Sequence, residues 1–200
     1  MVYNYLGDKM INYPNGKSIN RSKVINYSRR GMSLEEDLNL TNKYYLEVDR
    51  AVIYKKPTPV TIVDVDYKSR STAKITEAYF QSPSTTDYNG IYNGLYLDFE
   101  AKETNSKTAL VLAMIHPHQL EHMKKVLNHK GITFLIVRFS FYNETYLVFA
   151  KDLFEFINST KRKSIPYNWF KEKGNLIPYN YQIKVDYLSV IDSHIVGGKI

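Results

Sequence analysis

The spacing of hydrophobic and polar positions changes several times along the chain, and each change predicts an element. Ser33-Leu34-Glu35-Glu36 has the pattern of a capping box, in which the Ser hydroxyl and the Glu carboxylate each satisfy a backbone N–H at a helix start. Leu34, Leu38, Thr41, Tyr45 and Val48 then recur at helical spacing, so a helix is predicted over about 34–47. "AVIYKKPTPV" reads as a short strand that stops at Pro57 and Pro59, which have no N–H to give to a ladder. Residues 60–67 and 73–80 alternate as two more strands around "KSRS". Polar in part on both faces, they predict a two-stranded ribbon that buries little and projects from the body. Asn89-Gly90 and Asn93-Gly94 are both turn signals. Beyond them Leu95, Leu97, Phe99 and Ala101 face one way, and Tyr96, Asp98, Glu100 and Lys102 the other. "HPHQLEHMKKVLNHKG" predicts a helix that opens near Pro117 and is closed by Gly131, with Leu120, Met123 and Leu127 as its core stripe. Strands at 132–139 and 145–149 flank a turn at Asn143-Glu144, and a helix near 151–159, the basic "KRKS" and a tyrosine-rich tail follow. This order predicts an α/β sandwich with a mixed sheet.

Composition narrows the function classes. A chain of 200 residues supports one well-cored domain, and 44% hydrophobic residues with 18 tyrosines are too many for a disordered polypeptide. The net charge of +7 and pI near 9.3 point to a polyanionic partner, with nucleic acid ahead of a membrane surface. No apolar run approaches the roughly 20 residues that span a bilayer, and the N-terminus lacks a signal-peptide apolar region, so a soluble cytoplasmic protein is expected. With no cysteine, disulfides, thiolate zinc sites and cysteine nucleophiles are excluded, and any metal must be held by oxygen or imidazole. Residues 1–30 carry Lys9, Lys17, Arg21, Lys23, Arg29 and Arg30 against Asp8 alone, and read as a flexible basic arm.

The chemistry concentrates in "TTDYNGIYNGLYLDFEAKE", 85–103. Alternation puts Glu100 and Lys102 on one face of a strand about 7 Å apart. Asp87 precedes a predicted turn that folds the chain back toward that strand, so two carboxylates converge. Such a pair is tolerated where a divalent cation lies between the acids, and Mg²⁺ favours a few carboxylates completed by water and phosphate oxygens. Negative charge inside a basic chain therefore reads as a metal pocket within a field that gathers phosphates. Lys102 would orient an attacking water or neutralise charge growing on phosphorus. The same spacing recurs at Asp66-Tyr67-Lys68, with Asp64 on the same face, and spacing alone does not choose between the two. The apolar opposite face of the Glu100 strand favours Glu100, although an ordinary surface ion pair with Lys102 stays open. His118 and His122 lie at i and i+4, but the Glu is displaced from the zinc pattern and no third ligand is evident. His116, His118 and His122 accordingly read as helix-start or surface residues, some of them near bound DNA. Neither a glycine-rich phosphate loop nor a serine nucleophile elbow is present.

Taken together, "INYPNGK" (11–17), "RRGMSLEEDLNLTNKYYL" (29–46), "AVIYKKPTPVTIVDVDY" (51–67), "EAYFQSPSTTDYNGIYNGLYLDFEAKET" (77–104) and "HPHQLEHM" (116–123) resemble the RecU-type Holliday junction resolvases of low-GC Gram-positive bacteria, members of the PD-(D/E)xK nuclease superfamily. "IPYNYQIKVDYL" (177–188) extends the resemblance weakly. It implies a restriction-endonuclease-like core over 31–200, with a mixed central β-sheet flanked by helices and a protruding β-ribbon stalk inserted at about 57–82. It further implies Mg²⁺, replaceable by Mn²⁺, held at Thr85, Asp87, Glu100 and Gln119, with Lys102 stabilising the transition state. The implied partners are four-way junction DNA, a second copy in a homodimer, and a RecA-type recombinase. Lys68, Arg70 and Lys74 on the stalk and Arg29 and Arg30 on the arm are the expected DNA contacts. The implied activity is symmetric nicking of junctions in recombination and repair, in the cytoplasm at the nucleoid. A junction-binding architectural protein or recombinase modulator with an idle nuclease pocket is the alternative, and a sequence-specific nuclease has no helix-turn-helix or similar base-reading signature to support it.

Overall fold

The computed structural model describes residues 33–81 and 85–196. The basic arm, with Arg29 and Arg30, lies outside the described residues. Ser33 caps helix α1 (Leu34–Glu47) through the predicted reciprocal pair: the Glu36 N–H donates to Ser33 Oγ at 3.2 Å, and the Ser33 N–H to Glu36 Oε2 at 2.8 Å. Its inner side carries Leu34, Leu38, Thr41 and Tyr45 as the spacing predicts, but Val48 lies past the helix end and is exposed.

The strands are β1 (Val52–Lys55), β2 (Val60–Asp66), β3 (Lys74–Phe80), β4 (Tyr88–Tyr92), β5 (Leu95–Thr104), β6 (Ala109–Val111), β7 (Ile132–Phe139), β8 (Glu144–Phe149), β9 (Ser164–Pro166) and β10 (Asn175–Ile177). The remaining helices are α2 (Pro117–Asn128), α3 (Ala150–Ser159), α4 (Tyr167–Lys173) and α5 (Tyr187–Val196). A six-stranded sheet in the order β1-β4-β5-β7-β8-β10 organises them. Its pairings are antiparallel except β5 with β7, which run parallel and are joined by a crossover containing α2. The fold is thus the expected mixed α/β type, with the sheet flanked by helices.

β5 and β7 lie at the centre of the sheet, which explains why β7 is buried at every position. On one face Phe99 is stacked between Tyr88 and Phe134, with ring centroids 4.9 and 4.7 Å away, and Tyr187 of α5 tilts onto it at 5.0 Å. On the other face Met123, Leu135, Val137, Leu153 and Phe170 belong to a second cluster. The core stripe of α2 is rotated from the predicted one: Gln119, Met123 and Val126 are buried, while Leu120 and Leu127 are only partly covered.

One local expectation is corrected, and one segment left without an element is structured. Asn89-Gly90 is no turn but lies inside β4, with Gly90 opposite both Ile53 and Leu97. A β-carbon at Gly90 would sit 2.1 Å from the Val52 carbonyl oxygen, so the glycine permits the close approach of β1. The hairpin turn is Asn93-Gly94, both residues in the left-handed region at φ 48° and 77°. The tyrosine-rich tail is also structured, since α5 drives Tyr187, Leu188 and Ile191 into the aromatic core.

β2 and β3 pair only with each other, and every residue of both strands is exposed. Lys68, Arg70 and Lys74, at and beside the bend between them, are exposed as well.

Candidate functional site

The β4–β5 ladder sets Tyr88 opposite Phe99, so Asp87, one residue before the strand, arrives beside Glu100. The Asp87 N–H donates to Glu100 Oε2 at 3.2 Å, and the Ala101 N–H donates to Asp87 Oδ2 at 3.4 Å. Lys102 Nζ donates to Glu100 Oε1 at 2.6 Å. The ladder makes this juxtaposition, not the turn expected at 89–90. Glu100 has no exposed surface and the Lys102 side chain is 16% exposed, so the pair is not the surface ion pair left open by spacing. The competing Asp66 and Lys68, by contrast, are exposed in the ribbon.

Burial is the main reason the Glu100 carboxyl is pushed up to about 8, and the neighbouring Asp87 adds to it, while Lys102 draws it back down. Without a cation the Glu100 carboxyl therefore keeps its proton through neutral pH, and a cation beside it would favour the carboxylate instead. Thr85 is half-buried in the loop two residues ahead of Asp87, and its hydroxyl donates to the Thr86 carbonyl at 3.3 Å. Gln119 is buried in the first turn of α2, and its Oε1 accepts the His116 N–H at 2.9 Å. An amide oxygen has two lone pairs, so this cap leaves Gln119 one more. The structure brings the Asp87 and Glu100 carboxyls together; Thr85 and Gln119 carry neutral oxygens of the kind that would complete the shell of a hard cation such as Mg²⁺. Among the described residues, no three His, Asp or Glu side chains gather as a metal cluster, so a cation here would depend on neutral oxygens and water for its remaining positions.

His116 is exposed at the N-cap of α2 and His118 lies in its first turn, as expected for helix-start residues, but two of the rings are less free than the surface reading implies. His122 Nε2 lies 3.1 Å from Asp98 Oδ2, and His118 Nε2 is buried without a hydrogen-bond partner. The ring of His118 stacks on that of His116, with centroids 5.4 Å apart.

Asp98 was given a face by the alternation but no role, and it is the centre of a second polar cluster. It has no exposed surface. Lys56 Nζ donates to its Oδ2 at 2.7 Å, Tyr96 Oη to the same oxygen at 3.0 Å, and Thr86 Oγ1 to its Oδ1 through a short bond. The signal available in the sequence was position: Asp98 shares its strand face with Glu100, two residues away.

Residues 29–193 match the family described as Recombination protein U. The chain is 53% identical over 192 residues to the Holliday junction resolvase RecU of Oceanobacillus iheyensis, an alignment covering 91% of this chain and 98% of that relative. It is 52% identical over 193 residues to the protein of the same name from Geobacillus kaustophilus, with coverage of 92% and 96%. The relative of that name from Bacillus cytotoxicus is 50% identical over 193 residues, with coverage of 91% and 96%.

Proposed function

This chain belongs to the Recombination protein U family, and from that premise we propose that it resolves four-way DNA junctions as a metal-dependent, structure-specific endodeoxyribonuclease. The observation that carries the mechanism is the buried Glu100 carboxylate, with Asp87 against one oxygen and the Lys102 ammonium on the other. Asp87 and Glu100, with Thr85 and Gln119, would hold Mg²⁺, for which Mn²⁺ would substitute. Bound there, the divalent cation supplies Lewis-acid polarisation of the scissile phosphate and of water. Lys102, fixed by its bond to Glu100, orients the attacking water and offsets charge growing on phosphorus. In-line attack leaves a 5′-phosphate and a 3′-hydroxyl.

A junction has two-fold related strands, so paired nicks call for a homodimer with two such sites. The net charge of +7 gathers the phosphates, and the exposed Lys68, Arg70 and Lys74 of the ribbon, with Arg29 and Arg30, grip the junction. A RecA-type recombinase at the nucleoid is the further partner. Among the described residues, no helix is long and apolar enough to cross a membrane.

The test compares a synthetic four-way junction with a linear duplex of the same sequence, in Mg²⁺, Mn²⁺ or chelator. Symmetric nicks in the junction alone, and only with the cation, are expected. Binding without nicking in either cation would leave an architectural protein, and cutting of the linear duplex at fixed sites a restriction-type nuclease. Either result overturns the proposal.

A further inference from the structure

Asp98 ties together the elements that carry the proposed metal ligands. Its four donors come from four segments. Lys56 follows β1, Thr86 lies between Thr85 and Asp87, Tyr96 belongs to β5, and His122 lies on α2. Lys56 binds the Asp87 loop twice more, its Nζ donating to Thr86 Oγ1 at 3.0 Å and its backbone N–H to the Asp87 carbonyl at 2.8 Å. His122 is three residues beyond Gln119 and on the same side of the helix, so the anchor on Asp98 also sets the rotation of the turn that bears Gln119. Three of these partners meet Oδ2 and one meets Oδ1, so both oxygens of Asp98 are engaged by the protein.

We infer that Asp98, with Lys56, Thr86 and His122, is a positioning cluster that holds Asp87 and Gln119 at the separation a divalent cation requires. The inference rests on the proposed metal-dependent activity. Its physical content is preorganisation: a network centred on a buried carboxylate whose oxygens are both hydrogen-bonded fixes the side chains around it, and loosening such partners costs metal affinity more than fold. Thr86 shows the division of labour, because its hydroxyl turns toward Asp98 while its chain neighbours Thr85 and Asp87 supply the proposed ligands.

The test measures Mn²⁺ binding to the full chain without DNA, by electron paramagnetic resonance of free Mn²⁺. Asp98→Asn and Thr86→Val should each bind Mn²⁺ about 10- to 100-fold more weakly than the parent. Thr86→Ser, which keeps the hydroxyl, should retain parental affinity. Junction cleavage by Thr86→Val should recover as Mg²⁺ is raised, which a purely structural lesion would not allow. Should Asp98→Asn fail to fold, the Thr86→Val and Thr86→Ser pair decides alone. Parental Mn²⁺ affinity in Thr86→Val, with binding lost in Asp87→Asn, overturns the cluster but leaves the functional reading intact. Parental affinity in Asp87→Asn removes the metal site and the cluster's role together.

Discussion

Glu100 gives a prediction that needs no DNA. Its carboxyl is pushed from an ordinary 4.5 up to about 8 in the folded chain, chiefly by burial and then by Asp87. A carboxyl raised on folding favours the native state while the native form keeps its proton, and that advantage is lost as pH climbs from the unfolded value through the folded one. Each unit of difference is worth about 1.36 kcal/mol, so the metal-free protein should lose about 4 kcal/mol between pH 5 and pH 9 from this group alone. That is a large part of the 5 to 15 kcal/mol typical of a whole domain. Glu100→Gln removes the titration, although it leaves Lys102 without its charged partner. The pull of Lys102 on the Glu100 charge is already contained in the value of about 8, so the pH dependence of the difference between variant and parent reports the carboxyl together with its partner. Urea unfolding in chelator at pH 5, 7 and 9 should show Glu100→Gln gaining on the parent steadily, and saturating Mg²⁺ should flatten the parent's curve. A difference constant to within about 1 kcal/mol across the range would mean that Lys102 alone compensates the buried charge, and the reasoning would fail.

Other expectations concern single side chains. Asp87→Asn should abolish junction nicking without loss of junction binding, measured by gel shift on the same substrate. Lys102→Ala should reduce the single-turnover cleavage rate by about 10² to 10³, the loss seen when one charge-stabilising donor is removed, again with binding retained. Gly90→Ala forces a β-carbon to 2.1 Å from the Val52 carbonyl and should cost about 1 to 3 kcal/mol or more, read as a drop in Tm by calorimetry. Arg70→Ala should weaken junction binding and lower the slope of log affinity against log salt by about 1, if the ribbon contacts phosphate there.

The elements legible in the sequence were those whose signals are local. The Ser33–Glu36 box, Pro117 at the start of α2 and the alternation of β5 each carry their cause within a few residues. The exposure of the ribbon was legible too, because residues 60–80 mix polar and apolar positions on both faces. Gly90 misled because one dipeptide serves two needs, a tight turn or a close strand approach, and only the neighbouring β1 shows which applies. α5 was hidden because a run rich in Val, Ile and Ser has no strong helical signal until the aromatic cluster at Phe99 gives Tyr187 a place to pack. At the site, Asp87, Glu100 and Lys102 could be named because they fall within one hairpin. Asp98 could not be given its role, since Lys56 is 42 residues away in sequence and His122 a further element away.

The two faces of β5 differ as sharply as a strand allows, with Leu97 and Phe99 among aromatic rings and Asp98 and Glu100 among cations and hydroxyls. Sliding the strand by one residue would exchange them, driving two carboxylates into the stack of Tyr88 and Phe134. The alternation that equips the hairpin for chemistry therefore also proofreads its assembly: a misaligned copy pays at once in stability, long before it could meet a substrate.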